Sequence, residues 1–392
     1  MLCALVILVA AGLPRPPAAA GESPTVQQDR KELNPEWLNL PASTWVKITP
    51  NRNPEGRSFS GICWGNGLIY YFGGGHASYT CNDVELYDVA ANTWTQATEP
   101  EDWRGADHWR HLTPEEARKA TVIGGGCPAS PFVLSPKGRP LTYHTYQQHV
   151  WFPEEQAFYN IAVWQHAGLW AFDPAKREWR EAARQIPDYA DQSTIALTYD
   201  PALKTVVALT TTRGPAAYAF DREKKAWVKQ CDFPQGTAGD VYTAYDSTRK
   251  VHVVATKGLW FTLDLAAGVT KPMKHFRDAV VAAGKVPPLP DASLAYDPVS
   301  KAALAVNNNT STRSRKGAGA PVELWAYDAR KDNWSEVKME GPTPAGDIRW
   351  GLLVYDPHHK CCLFLNVLGI QGSARQGGKV DGLFAFRVSG PP

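Results

Sequence analysis

A short aromatic signature recurs along the chain, and this repetition constrains the fold more than any other feature. In four places an aromatic residue is followed directly by Asp and then, after five intervening residues, by Trp. The four copies are Tyr87-Asp88 with Trp94, Phe172-Asp173 with Trp179, Phe220-Asp221 with Trp227, and Tyr327-Asp328 with Trp334. Such self-similarity predicts a repeat architecture in which each unit is one supersecondary motif.

A second hairpin signal lies upstream of each copy. It joins an aromatic residue to Asp-Pro or a close variant, between two apolar runs, and so marks a tight turn. The instances are Phe152-Pro153, Tyr199-Asp200-Pro201, Tyr245-Asp246-Ser247, Tyr296-Asp297-Pro298 and Tyr355-Asp356-Pro357, while Asn66-Gly67 takes this place in the first unit. The two hairpin signals of each unit therefore predict four antiparallel strands, which are typical of a propeller blade.

The first unit resembles a kelch repeat. Ile69-Tyr70-Tyr71-Phe72 runs into Gly73-Gly74-Gly75, followed by Tyr87-Asp88 and Trp94. The family pattern is a glycine pair that ends the second strand, then Tyr and Trp at set spacing. The later units keep the aromatic-Asp and Trp signals without the glycine pair. The resemblance implies an all-β, closed propeller of the kind found in the central domain of galactose oxidase.

The two chain ends predict how the ring closes. Residues 43–48 look like a Trp strand without a preceding blade, and the last unit, 345–388, has no Trp strand of its own. Their pairing would remove the open sheet edges. We therefore predict six four-stranded blades in which the N-terminus supplies the outer strand of the last blade. Residues 96–140 are interpreted as a partly helical insert on the long-loop face, and a seventh blade there is the alternative.

Composition and charge narrow the class of protein. The chain of 392 residues has 41 Lys and Arg against 39 Asp and Glu, so bulk charge does not favour a nucleic-acid partner. It contains 15 Trp, 15 Tyr and 13 Phe beside 32 Gly and 31 Pro. Aromatic strands separated by Gly and Pro turns fit these counts, and a helical bundle does not.

The N-terminal segment predicts export. The apolar run from Leu2 to Leu13 is too short to span a bilayer, and Ala18-Ala19-Ala20 forms a small-residue cleavage site. We expect a signal peptide over 1–20, an extension over 21–42 and the propeller over 43–390. The mature chain would then be secreted or periplasmic, without a membrane partner.

Cysteine spacing does not predict a metal site. Removal of the signal leaves six cysteines, and no Cys-x-x-Cys pair is among them. One disulfide among Cys63, Cys81 and Cys127 and buried free thiols are both open interpretations. The adjacent Cys361 and Cys362 should point to opposite faces of a strand and should not bond each other.

Strand order divides the loops between two ends of the ring. Turns between the first and second strands and between the third and fourth strands are short and share one end, the short-turn end. Loops between the second and third strands and the connections between blades share the opposite, long-loop end. Long loops on a rigid scaffold are where function concentrates.

The long-loop end collects basic, His and aromatic residues, which suit an anionic ligand. Each also has a structural interpretation, such as a hydrogen-bonded His or an Arg paired with a loop carboxylate. The predicted catalytic residues are His144, His166, Arg213 and Tyr242, and the predicted substrate-binding residues are Arg57, His76, Tyr79, Gln192, Arg349 and Trp350. No metal or cofactor is predicted, and His108 and His111 are interpreted as surface residues.

Three functions compete for these residues. Tyr143-His144 resembles the ligand pair of galactose oxidase, but Phe59 stands where that copper site needs Tyr and no further His follows near the C-terminus. We therefore disfavour a copper oxidase.

The order His144, His166, Arg213, Tyr242 is similar in layout to propeller polysaccharide lyases such as ulvan lyases. That similarity implies β-elimination on a uronate polymer, in which His or Tyr moves protons while Arg and His offset the carboxylate charge. A non-catalytic propeller that binds glycan or protein is the alternative, and the sequence leaves open whether the chain is an enzyme.

Overall fold

The structure is a computed structural model that describes residues 33–57, 60–74, 81–100, 122–123, 127–128, 137–140, 145–162, 168–183, 194–212, 214–256, 259–273, 294–307, 322–344, 352–368 and 379–389. Within these ranges, six antiparallel four-stranded sheets form the blades of a β-propeller. The predicted all-β fold and the predicted number of blades are confirmed.

The described part of the chain contains first a short helix and a single strand, and then five blades in sequence order. The helix is α1 (Pro35–Leu38) and the strand is β1 (Val46–Ile48). Blade 1 contains β2 (Gly61–Gly65), β3 (Leu68–Phe72), β4 (Glu85–Asp88) and β5 (Thr93–Gln96). A two-stranded sheet, β6 (Val122–Ile123) with β7 (Cys127–Pro128), follows within the predicted insert at 96–140. The helical part predicted for this insert, from Pro114 to Ala120, lies outside the described residues.

The remaining blades are more regular. Blade 2 contains β8 (His149–Phe152), β9 (Ala157–Ala162), β10 (Gly168–Asp173) and β11 (Glu178–Ala183), with a 3-10 turn at Pro153–Glu155. Blade 3 contains β12 (Ile195–Asp200), β13 (Thr205–Thr210), β14 (Ala216–Asp221) and β15 (Ala226–Asp232). Blade 4 contains β16 (Val241–Asp246), β17 (Val251–Thr256), β18 (Trp260–Asp264) and β19 (Val269–Pro272). Blade 5 contains β20 (Leu294–Asp297), β21 (Ala302–Asn307), β22 (Glu323–Asp328) and β23 (Asn333–Val337).

Blade 6 closes the ring with strands from both parts of the chain. Its strands are β24 (Leu352–Asp356), β25 (Cys361–Leu368) and β26 (Lys379–Phe386), and β1 pairs with β26 as the outer strand. Val46 lies opposite Ala385 and Ile48 opposite Leu383. Trp45, 1% exposed, packs its ring 4.5 Å from the ring of Phe386. The predicted closure by the N-terminus is confirmed.

The repeated Asp has a local role that explains why it recurs. In blade 3, Asp200 Oδ1 accepts hydrogen bonds from the backbone N–H groups of Ala202 and Leu203, both at 2.8 Å. Lys204 then takes a left-handed conformation, with φ of 50°, and the chain returns into the next strand. An Asp that bonds to the backbone two and three residues on stabilises such a turn. The same kind of turn follows four other Asp residues, each of which accepts a hydrogen bond from a backbone N–H two or three residues on. In each turn a Lys four residues after the Asp has a left-handed backbone; the pairs are Asp221 and Lys225, Asp246 and Lys250, Asp297 and Lys301, and Asp356 and Lys360.

Aromatic side chains fill the spaces between neighbouring blades. Tyr70 of blade 1 stacks between Trp151 and Phe158 of blade 2, with ring centroids 5.3 and 5.2 Å away. A Cβ on Gly65 would lie only 2.3 Å from Trp151, so glycine is required where this ring crosses the strand. Fully burying one such side chain contributes about 2–3 kcal/mol, and this packing fixes each blade against the next.

The structure also describes three of the cysteines whose bonding the sequence left open. Cys63, Cys361 and Cys362 are buried free thiols, so Cys63 forms no disulfide, and the adjacent pair does not bond to itself.

In the part of the chain that is described, no helix has the length and apolar character needed to cross a membrane.

Candidate functional site

Most of the predicted site residues lie outside the described residues. They are His76, Tyr79, His144, His166, Gln192, Arg213, Arg349 and Trp350. Arg57 and Tyr242 are described. The convergence of His144, His166, Arg213 and Tyr242 on one pocket therefore stays a prediction.

Tyr242 is the second residue of β16, the innermost strand of blade 4. It is 4% exposed and packs with Ala244, Trp260 and Leu294 in the hydrophobic cluster between blades 4 and 5. The ring thus contributes to the contact between two blades at the long-loop end of its strand.

Arg57 is fully buried and its charge is compensated. Its Nη2 lies 2.8 Å from Asp83 Oδ2, and its backbone N–H donates to the hydroxyl of Tyr71 at 2.8 Å. Burial raises the pKa of Tyr71 to about 12, so this hydroxyl stays protonated. A second pair, Arg52 with Glu85, lies in the same blade with Nη2 and Oε2 2.5 Å apart. At the long-loop end of blade 1, the described cations are therefore committed to carboxylates of the fold.

The six inner strands surround a central channel, and one residue lies across it. Neighbouring inner strands follow the order β2, β8, β12, β16, β20, β24 and back to β2. The backbone carbonyl of Gln147 accepts from Leu197 N–H of blade 3 at 2.8 Å, and its side-chain Oε1 accepts from Thr243 N–H of blade 4 at 3.0 Å. Because Gln147 precedes the inner strand of blade 2, it joins three blades within the channel.

A cavity of about 430 Å³ lies in the channel between Gln147 and the short turns. Each inner strand contributes one aromatic side chain to its wall, one residue before the strand ends. The six are Trp64, Trp151, Tyr199, Tyr245, Tyr296 and Tyr355. Pro153, Pro201 and Pro357 line it from the short turns. The aromatic-Asp pairs of the inner hairpins therefore supply four of these six side chains, and Trp64 and Trp151 take the same place in blades 1 and 2.

Two buried polar side chains belong to residues that line the cavity, but their polar atoms are inaccessible to solvent and do not face it. His149 is 6% exposed, and its ring nitrogens lie against the backbone of Gly61 and the side chain of Asn160. Thr243 is 7% exposed, and its hydroxyl is unpaired. Burial lowers the pKa of His149 to about 3, and the nearby Gly61 backbone and Asn160 side chain act in the opposite direction too weakly to restore it. The imidazole is therefore neutral at physiological pH, with one nitrogen that donates and one that accepts.

The cavity wall carries no formal charge. No Asp, Glu, Lys or Arg is among the described residues that line it. Burial raises the pKa of Tyr296 to about 12, and it also raises the pKa of Tyr199, Tyr245 and Tyr355. Within the described ranges, no group of three or more His, Cys, Asp or Glu could hold a metal ion.

This cavity was not predicted from the sequence, because all predicted functional residues belong to the long-loop end. The signal was present: an aromatic residue recurs at the same place in every inner hairpin. It was interpreted only as a mark of a turn. His149, by contrast, sits in an apolar strand, and nothing in its neighbours distinguishes it from a packed core histidine.

One family model and one solved structure are similar to parts of this chain. Residues 56–101, which include blade 1, match the family model of the kelch motif. A solved structure, the GH74 xyloglucanase from Xanthomonas campestris, is 14% identical, with a TM-score of 0.45 over 87% of this chain and 53% of its own. The chain thus spans about half the length of that enzyme. No curated protein matches the chain.

Proposed function

We propose that this chain, a six-bladed kelch-type β-propeller, binds an anionic, uronate-containing polysaccharide at its long-loop end. The observation that carries the proposal is the order of blades around the ring. β8, β12 and β16 are successive neighbours, and the sequence segments that hold His144, His166, Arg213 and Tyr242 belong to these three blades. If these segments reach the same end of the ring, their side chains would provide an arc for several sugar units.

Because the arginines described in blade 1 are already paired, blades 2 to 4 are better candidates for contact with an anionic ligand. Arg57 and Arg52 already pair with Asp83 and Glu85, so they are poor candidates to neutralise a ligand. Arg213 lies in the connection between β13 and β14, outside the described residues. A guanidinium binds a carboxylate through two parallel hydrogen bonds, which makes Arg213 the main candidate for contact with a uronate. An exported chain, as predicted from residues 1–20, would meet such polymers outside the cell.

Cleavage by β-elimination is the second candidate. It is suggested by the place of Tyr242 at the beginning of the innermost strand of blade 4, which matches the lyase layout, but it requires the ring to leave the hydrophobic cluster in which it is 4% exposed. A base would remove the C5 proton of the uronate, the electron pair would form a C4–C5 double bond, and the glycosidic C4–O bond would break as the leaving oxygen takes a proton. Arg213 and His166 would offset the charge that builds on the carboxylate.

Binding is tested by titration with polygalacturonate, with neutral dextran as the comparison polymer. We expect the wild type to bind polygalacturonate with an affinity that falls as salt rises, because the contacts are charged. Arg213→Gln should weaken binding by about tenfold or more, as expected for loss of a charge-assisted hydrogen bond. Lys225→Gln removes the same charge from an exposed short turn of the same blade and should bind like wild type. Equal binding of dextran without salt dependence would contradict the proposal.

Cleavage is tested separately, by the ultraviolet absorbance of unsaturated products. If the chain is a lyase, the wild type produces this signal from a uronate polymer, and Tyr242→Phe and His144→Ala abolish it without loss of the fold. Polymer binding without any product signal would leave the binding proposal in place and reject the lyase.

A further inference from the structure

The segment that precedes β1 is fastened to two blades. Residues 33–45, the N-terminal strap, contain α1 and lead into the outer strand of blade 6. Trp37 is 2% exposed and packs in the hydrophobic cluster shared by blades 1 and 6, with its ring 6.3 Å from the ring of Tyr87. Arg387, which follows β26, donates to the backbone carbonyls of Trp37 at 2.9 Å and of Leu38 at 2.6 Å. The strap is thus fixed to the first and the last blade of the ring.

A buried histidine of blade 6 holds the beginning of the strap. The backbone N–H of Asn34 donates to His359 Nε2 at 3.1 Å, and His359 Nδ1 lies 2.6 Å from Asp356 Oδ2. His359 is 2% exposed, and its ring lies 6.1 Å from the ring of Trp37. A neutral imidazole has one nitrogen that donates and one that accepts. Since Nε2 accepts from Asn34, the single ring proton lies on Nδ1 and is donated to Asp356. The bond to the strap therefore exists only while His359 is neutral.

In the described part of the chain, few other groups near His359 can change charge in mild acid. Arg387 donates to the His359 carbonyl at 2.6 Å and stays protonated. Burial raises the pKa of Tyr87 and of Cys361, so both stay neutral. Burial also raises the pKa of Asp297 of blade 5, which interacts with Arg387, so this carboxyl is the competing acid-sensitive group. The remaining titratable neighbours are Asp356, His358, Lys360 and the exposed Glu36.

From this arrangement we infer that the N-terminal strap is an acid-sensitive latch, which a proton on Nε2 of His359 loosens while the blades stay folded. The added N–H would face the N–H of Asn34, so the hydrogen bond is lost and two donors oppose each other. The imidazolium would still donate to Asp356, and its charge would then be paired with that carboxylate. Histidine side chains ordinarily change charge between pH 5 and 8. The inference does not depend on any ligand at the long-loop end.

The test is hydrogen exchange of the full chain, measured by mass spectrometry at pH 7.5 and pH 5.5 and corrected for the intrinsic pH dependence of exchange. Peptides from the strap report the amides of Trp37, Ser43 and Trp45, which donate to backbone carbonyls. Peptides from the fully buried strand β13 report the blade core. We expect strap protection to fall about tenfold from pH 7.5 to pH 5.5, as for the loss of one hydrogen bond. The strand β13 should stay more protected than the strap at both pH values.

Two pairs of variants locate the effect. His359→Gln keeps an oxygen that can accept from Asn34 but takes up no proton in this range, so its strap protection should not change with pH. His358→Gln, at the adjacent position, should keep the tenfold response. Asn34→Pro removes the backbone N–H at a φ of −71°, which proline adopts, whereas Asn34→Ala keeps it. Both lose the side-chain bond to the N–H of Glu36, so only Asn34→Ala should remain acid-sensitive.

The inference is overturned if strap protection in the wild type is equal at both pH values. It is also overturned if the response persists in His359→Gln, which would assign it to Asp297 or another carboxyl, or if Asn34→Pro and Asn34→Ala respond alike. Opening of the strap and β13 at the same rate would show acid unfolding of the whole ring instead. If His359→Gln does not fold, the two Asn34 variants decide, because they leave the histidine in place.

Discussion

Two buried polar clusters, one within blade 1 and one where blade 2 meets blade 1, differ in how they avoid an uncompensated charge. In blade 1, Arg57 and Asp83 are both fully buried and joined by an ion pair of 2.8 Å. Where blade 2 meets blade 1, His149 is almost as deeply buried beside Gly61 and Asn160, and burial lowers its pKa, so the imidazole is neutral. The first cluster keeps two opposite charges in the core, whereas the second contains no charge at physiological pH.

This contrast predicts two different responses to perturbation. Arg57 was predicted to bind substrate and is instead found committed to the blade. Removing one partner of a buried pair leaves an uncompensated charge, so the ion pair should be essential to stability. The neutral histidine should affect stability mainly in acid, where the unfolded chain binds a proton that the folded chain does not.

The largest expected effect comes from breaking the paired cluster. Asp83→Ala leaves Arg57 buried without its carboxylate and should lower the free energy of unfolding by about 3–5 kcal/mol. Urea unfolding measures this change. Lys338→Ala, which removes an exposed partner of Glu336, is the control and should have little effect. A loss for Asp83→Ala as small as that of the control would remove the contrast.

Acid should reveal the buried, neutral state of His149. Its pKa is about 3 in the folded protein against an ordinary value of 6.5, so between these values the unfolded chain binds the extra proton. The contribution of the neutral imidazole to the free energy of unfolding is fully present above pH 6.5 and is lost as the pH falls below that value. At pH 4.5 wild type should have lost about 2–3 kcal/mol that His149→Gln does not lose.

The comparison of pH 7 with pH 4.5 by urea unfolding isolates this histidine. Burial acts to raise the pKa values of Asp200 and Asp328, but hydrogen bonds and charges, including those of His252 and Arg330, together outweigh it and lower both values. These carboxylates titrate in both proteins, so their effect cancels in the difference. Equal acid sensitivity of the wild type and His149→Gln would show that the imidazole is not buried in its neutral form.

A paired hydroxyl at the short-turn end should show a smaller cost. Tyr199 donates to Glu154 Oε1 at 2.7 Å, and Glu154 is exposed. Tyr199→Phe should therefore cost only about 0.5–1 kcal/mol, since water can replace the lost donor. Thermal unfolding of the variant checks this, and a loss well above that range would mean that the hydroxyl holds more of the turn than this bond.

The smallest effect on stability is expected for Thr243→Val. The variant removes an unpaired buried hydroxyl, so the free energy of unfolding should stay constant or rise by about 0.5 kcal/mol. Chemical denaturation without added ligand measures it. A clear loss of stability would show that the hydroxyl has a structural partner.

The architecture could be predicted from sequence because its determinants are local and repeated. Asp200 and its equivalents bond to backbone groups two or three residues away, so the turn signal is written within five residues. Ring closure was predictable as well, since Trp45 lacks a blade of its own and Phe386 lacks a Trp strand. The channel was not predictable in this way. Gln147 reaches Thr243 across 96 positions of sequence, and pairing at such distance leaves no local pattern.

The most direct test of an anionic site at the long-loop end compares two polymers across three proteins. The affinities of polygalacturonate and of neutral dextran are measured for wild type, Arg213→Gln and Lys225→Gln. The account predicts that only polygalacturonate binds with an affinity that falls as salt rises, that Arg213→Gln weakens this binding by about tenfold or more, and that Lys225→Gln leaves it unchanged. Wild-type affinity in Arg213→Gln, or equal and salt-independent binding of dextran, would contradict the account.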